Sequence, residues 1–195
     1  MSDPLAIHQL IVDMQACAQT EGQSVYAHGL SVWNHTFQLI DFLRTGQISG
    51  QWVLPSWTYQ YSQELLGALV PQDIIEEYTI FHDCGKPYCQ SDGKHRFPNH
   101  AEASYHKWLD LGGRLPAARL MRFDMMIHTM KASDLETFIS LPEAPTLLIA
   151  GLAEIHANAN MFGGLDSTSF KIKWKQIDRR GKAICQKLFQ KVPEV

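Results

Sequence analysis

The chain has no long apolar run. No segment approaches the ~18 consecutive apolar residues of a membrane-spanning helix. Its start, MSDPLAIHQLIVDM, lacks the basic residues and apolar stretch of a secretion signal. Charge of one sign is missing too: 17 Lys and Arg against 20 Asp and Glu leave a formal net charge of -3. No whole-protein field therefore draws the chain to nucleic acid or to an anionic membrane. Cysteine is sparse. Cys17, Cys84, Cys89 and Cys185 form no C-x-x-C pair, and a chain of 195 residues buries enough core to need no disulfide framework. Alternating strand patterns, repeats, low-complexity tracts and linkers are absent as well. These absences point to a soluble, cytoplasmic protein with reduced thiols, folded as one compact all-α domain over residues 1–195.

What is present is period-3.6 patterning. It predicts helices over Leu5–Ala18 and His28–Leu43, the second with a stripe of Leu30, Trp33, Phe37, Ile40 and Leu43. Gly46, Gly50 and Pro55 make Thr45–Trp57 a connection. Helices follow over Ser62–Leu69, from Asp73 into His82-Asp83, and over His100–Leu111, with the polar stretch Cys89–Pro98 forming a turn before the last. Pro116–Met130, Asp134–Ser140, Pro145–Asn160 and a tail helix over Lys175–Gln190 complete the set.

Nine histidines give the chain its chemistry. His82 and Asp83 are adjacent at the end of an apolar helix, just before Gly85-Lys86-Pro87. Neighbouring helical residues point about 100° apart, so both reach one ion only at a helix end or a seam. An imidazole nitrogen with a carboxylate oxygen suits a divalent transition metal better than calcium. Taken alone, such a dipeptide is more simply a helix cap with an incidental charge. Its company argues otherwise. His35 sits mid-helix near the apolar stripe, where an unpaired imidazole is expensive to bury. His100 and His128 fall at helix ends, and His156 lies in an apolar helix. His28, seven residues before His35 and on the same face, is a reserve ligand, whereas His8, His95 and His106 have no motif support.

The string FHDCGKP, Phe81 to Pro87, resembles the HD phosphohydrolase superfamily, whose signature is an early His, a central His-Asp pair and a late Asp. VWNHTFQLIDFL looks like that family's first-ligand helix. HDCGKPYCQSDGKHRFPNH is similar to the HD domains of bacterial tRNA nucleotidyltransferases, where HD-x-GKP, a DG turn and Phe-x-x-His follow in order. IHTM then falls where those domains carry another helix-borne His. The resemblance covers roughly residues 28–165, leaving 166–195 as a basic carboxyl-terminal extension, and no nucleotidyltransferase head is present. It implies an HD-type helical fold with His35, His82 and Asp83 as metal ligands, and with His100 and His128 on a second metal or the phosphate. The late Asp is where the chain departs from the pattern. LLIAGLAEIHANANMFGG places His156 at that position, with Asp166 as the competing ligand and Asp134 less suited.

The expected cofactor is one or two divalent transition-metal ions (Mn, Fe, Ni, Co or Zn, with Mg as a further option). A divalent ion lowers the pKa of coordinated water toward neutrality, and Asp83 would bridge two such ions. Lys86 is placed to pair with a phosphate or leaving oxygen, or else to complement a helix end. Arg96 and Lys94, on the polar turn, would add a phosphate-facing rim. Asp124, four residues before His128, would orient that imidazole. Lys171-Lys191 carries eight Lys or Arg against one acid, Asp178, with Trp174 among them. This is either a solvated basic face or an RNA contact. The expected function is a metal-dependent phosphohydrolase acting on a nucleotide, a cyclic phosphate or an RNA end, with Asp83 and Lys86 catalytic. The alternatives are an iron-dependent oxygenase on an HD-like di-iron site and a non-enzymatic nucleic-acid-binding module.

Overall fold

Pro4, which has no amide hydrogen to leave unsatisfied, opens the first helix, α1 (Pro4–Ala16). The computed structural model describes residues 4–89 and 97–190. After α1, β1 (Ala18–Thr20) and β2 (Gln23–Ser24) pair antiparallel, with Ala18 opposite Ser24. The turn between them uses Gly22 at φ +79, where a side chain would be strained. This hairpin was not expected from the sequence, because strands of three and two residues are too short to show alternation. α2 (Val25–Thr45) begins where the Ser24 hydroxyl accepts the Ala27 amide at 3.1 Å. It ends at Gly46, whose amide donates to the Phe42 carbonyl at 2.7 Å.

Prolines set the starts of the next helices. α3 (Ser56–Gln60) begins after Pro55 and takes Trp57 out of the expected connection, and α4 (Ser62–Ala68) comes directly behind it. α5 (Gln72–Phe81) begins after Pro71, and Lys86–Tyr88 forms a 3-10 turn. Next come α6 (His100–Asp110), α7 (Leu115–Phe123) and α8 (Met126–Thr129). The single helix expected over Pro116–Met130 is thus broken at Asp124-Met125. A 3-10 turn at Ala132–Asp134 leads into α9 (Leu135–Ile139). α10 (Ala144–Ala157) and α11 (Thr168–Phe189) complete the described chain, the latter capped by the Ser167 hydroxyl on the Phe170 amide at 3.1 Å. The class is all-α. No helix among the described residues is long and apolar enough to cross a membrane.

The chain divides into two compact units, one comprising the residues up to Asn34 with Val70–Met125, the other His35–Leu69 with the residues from Met126 onward. In the first unit, two glycines let backbone meet backbone. A Cβ at Gly29 on α2 would lie 2.1 Å from the carbonyl oxygen of Ile80 on α5. A Cβ at Gly85 would lie 2.4 Å from the Ser104 amide nitrogen on α6, and the Gly85 amide donates to the Ser104 hydroxyl at 2.9 Å. α2 and α6 are thereby drawn onto the end of α5. Away from that end, the Glu77 carboxylate gathers the Trp108 indole at 2.6 Å, the Arg114 amide at 3.0 Å and the Arg114 guanidinium, while Phe81 stacks on Trp108.

In the second unit α10 is buried on every side from Ala144 to Ala153, as a helix apolar all round must be. α11 lays Phe170, Ile177, Ile184 and Cys185 into the same core, and Gly181 makes room for the buried Trp57 indole.

The two kinds of helical glycine should respond oppositely to alanine. Gly67 on α4 has open space around its Cβ position, so Gly67→Ala should stabilise by up to about 1 kcal/mol through helix propensity. Gly29→Ala gains the same term but loses about 3 kcal/mol to backbone overpacking, for a net loss of about 2 kcal/mol. Urea unfolding of both variants checks the signs; a stabilised Gly29→Ala protein would refute the close approach.

Candidate metal centre

α5 runs out at Phe81, so the carbonyls of its last turn need partners. The Thr79 carbonyl finds one in Nδ1 of His82 at 2.9 Å. That bond puts the Nδ1 proton on the side of the ring away from Asp83 and turns Nε2 toward the carboxylate. His100, in the first turn of α6, is held the same way: its Nδ1 donates to the Phe97 carbonyl at 2.8 Å. In both rings a backbone carbonyl fixes the tautomer and orientation, the usual support of a metal-ligating imidazole.

Asp83 is 2% exposed and stands at the centre of these groups. Its Oδ2 lies 3.3 Å from His82 Nε2, 3.8 Å from Nε2 of the fully buried His28, and 2.5 Å from the Lys86 ammonium. Its Oδ1 lies 3.5 Å from His100 Nε2. Lys86 is fixed from its other side by the Gln19 side-chain carbonyl on β1, at 2.9 Å. The Tyr78 ring meets His82 edge-on, and its hydroxyl donates to Asp124.

Burial pushes the Asp83 carboxyl up more strongly than any other single influence pulls it. Lys86, His82 and His28 together nevertheless hold it well below the usual carboxylate range. Asp83 is therefore ionised inside the protein. The three imidazoles cannot all answer it as imidazolium, because with Lys86 four positive charges would then surround one buried carboxylate. A divalent cation among the rings would supply the same positive charge, with His82 and His100, whose Nδ1 protons go to backbone carbonyls, turning neutral Nε2 lone pairs to it. Donor atoms sharing a tetrahedral ion at 2.0–2.2 Å stand roughly 3.4 Å apart. The 3.3, 3.5 and 3.8 Å separations match that spacing. The residues present therefore fit a divalent ion. Cys84 does not join them: burial pushes its thiol up to about 12, and it donates to the Ser104 carbonyl at 3.6 Å.

Of the residues expected from sequence, His82, Asp83, Lys86 and His100 come together in this first unit. The early histidine that meets Asp83 is His28, which sequence reasoning held only in reserve. His35 falls two turns later on α2, about 10 Å further along it, with its ring 5.6 Å from Trp52 in the second unit. The signal for His28 was its neighbour Gly29, which costs helix propensity and here lies against the Ile80 carbonyl. Nothing local pointed to Gln19, whose role depends on a partner 67 positions away.

Among the late candidates, His156 is otherwise engaged. His156 has no lone pair to offer, since Nδ1 donates to the Leu152 carbonyl at 2.8 Å and Nε2 accepts the Val53 amide at 3.2 Å. Its ring lies 4.3 Å from Trp52, and Val53 is held on its other side by the Trp174 indole, which donates to its carbonyl at 2.6 Å. Asp166 is fully exposed beside Lys171, and Asp134 caps the Lys131 turn. His128 pairs with Glu154 at 2.8 Å in the second unit, and the Tyr78 hydroxyl donates to Asp124 in the first. Arg96 and Lys94 lie outside the described residues, as does most of the expected turn before His100. No family model, curated protein or solved structure matches the chain, so the centre rests on its own chemistry.

His156 carries a pH signature. Burial, ahead of the nearby His35, lowers its pKa from 6.5 to about 4. The unfolded chain takes up this proton near pH 6.5 while the folded chain resists until about 4. The contribution is thus fully present above pH 6.5 and is lost as pH falls through that interval, amounting to about 3 kcal/mol. Unfolding titrations at pH 7 and pH 4.5 should show the gap between wild type and His156→Gln closing in acid. A gap that stays constant would mean His156 is not the group responsible.

Proposed function

We propose that the chain is a metal-dependent phosphohydrolase, of the superfamily that its HDCGKP, DG and FPNH segments resemble. It would hold one or two divalent transition-metal ions through His28, His82, Asp83 and His100. The observation that carries this is the ring of three Nε2 atoms at 3.3–3.8 Å around one buried carboxylate. Two of those rings are fixed by backbone carbonyls on their far nitrogens. Imidazole-rich donors favour Mn, Fe, Co, Ni or Zn over Mg, which prefers oxygen. A bound divalent ion supplies Lewis acidity and a nucleophile at neutral pH.

The chain's own residues divide the remaining work. Asp83 faces His28 and His82 with one oxygen and His100 with the other, a division suited to bridging two ions. An ammonium has three N–H donors; among the described residues Lys86 gives one to Gln19 and one to Asp83, and the third would go to a phosphoryl oxygen. At 8% exposure that charge acts through protein rather than water, where it is worth more. The substrate class is a phosphate ester on a nucleotide, a cyclic phosphate or an RNA end. The four free cysteines support a cytoplasmic setting.

Elemental analysis of the purified full-length protein, with hydrolysis of phosphomonoesters and phosphodiesters, tests the reading. His28→Ala and Asp83→Ala should each lower metal affinity at least about tenfold, whereas His35→Ala should leave metal content unchanged. Lys86→Met should retain metal but lower kcat/KM by about a hundredfold. Stoichiometric metal that survives Asp83→Ala would disprove the site. Bound iron with oxygen consumption and no ester hydrolysis would instead indicate an oxygenase.

A further inference from the structure

The basic face of α11 includes a place the metal centre does not use. In the second unit a cleft of about 230 Å³ has aliphatic walls from Met130, Leu135 and Ala183, and Lys131, Arg179 and Arg180 stand around it. Arg180 does not extend into solvent. Its Nε donates to the Met130 carbonyl at 3.2 Å, which holds the half-buried guanidinium against the cleft. Burial and then the neighbouring Arg179 both act against its charge.

The two acids that flank Leu135 do not pair with Arg179 or Arg180. Glu136, next to Leu135, binds Lys187 at 2.8 Å, while Asp134 accepts the Lys131 amide and the Ser133 hydroxyl. Two adjacent guanidinium groups, one partly desolvated, on an aliphatic cleft constitute a charge awaiting an anion. A nucleic-acid strand is the poorer match. No aromatic ring, Trp174 included, is among the described residues that line the cleft, so a base would have nothing there to stack on. At about 230 Å³, with aliphatic walls, the cleft suits a short hydrocarbon chain.

We propose that this cleft binds a free aliphatic carboxylate such as octanoate, its chain against Met130, Leu135 and Ala183 and its head on Arg179 and Arg180. Calorimetric titration of the full chain with octanoate tests this without reference to the metal centre. Octanol, butanoate, inorganic phosphate, anionic lipid vesicles and single-stranded RNA serve as comparisons. Octanoate should bind one per chain, with octanol and butanoate at least tenfold weaker. Ala183→Trp, which fills the cleft, and Arg179→Gln, at an exposed position, should each weaken octanoate at least tenfold while circular dichroism stays native. Octanol binding as tightly as octanoate would reduce the site to an apolar cavity, and phosphate binding as tightly would reduce it to a plain anion site. Vesicles or RNA bound in place of octanoate, or octanoate binding indifferent to both variants, would likewise overturn the proposal.

Discussion

An ionised carboxylate with 2% exposure can persist only if positive charge or proton donors are brought to it, and Asp83 determines much of what surrounds it. Lys86 brings a full charge from one turn away, and Gln19 keeps that charge in place from β1. Histidines from α2, from the end of α5 and from α6 approach the same two oxygens. Among the described residues, taking away the carboxylate would leave the Lys86 ammonium with the Gln19 amide oxygen as its remaining hydrogen-bond acceptor. Asp83 is accordingly as much a structural requirement of the first unit as a candidate ligand.

That convergence is possible because side chains are missing where backbones must touch. At Gly29 the α2 backbone lies against the Ile80 carbonyl, and at Gly85 the chain lies against Ser104. A methyl group at either place would push away the helix that carries His28 or His100. The geometry of the centre is thus set by two glycines that offer no chemistry of their own, one of them directly beside His28. The supporting hydrogen bonds follow the same economy: Thr79 and Phe97 contribute carbonyls from segments where regular pairing ends.

Much of this was legible in the sequence. Helical periodicity located most of the long helices to within a few residues, since an amphipathic stripe is a local property, although the tail helix expected from Lys175 already begins at Thr168. The end of α5 at His82-Asp83 followed from Gly85 and Pro87. The hairpin at Ala18–Ser24 escaped notice because five strand residues carry no period. The break at Asp124-Met125 escaped because no Gly or Pro marks it. His28 and His35 lie on the same helical face, so periodicity alone could not choose between them; the choice depends on which turn of α2 carries the glycine. His156 occupied a plausible ligand position in an apolar helix. Its engagement with Leu152 and Val53 involves a contact 103 residues distant, beyond the reach of local pattern.

The connection held by His156 and Trp174 has its own consequence. Val53 is gripped entirely through its main chain, its amide by one helix and its carbonyl by another, while its side chain is 39% exposed. Any residue with an amide hydrogen can serve at that position, and proline alone is barred by chemistry. Length is another matter. One residue added or removed between Gly46 and Pro55 would rotate the peptide and turn both groups away from their partners. Position 53 can vary freely in composition while its spacing from Gly46 and Pro55 cannot change, the reverse of the tolerance expected of a surface loop.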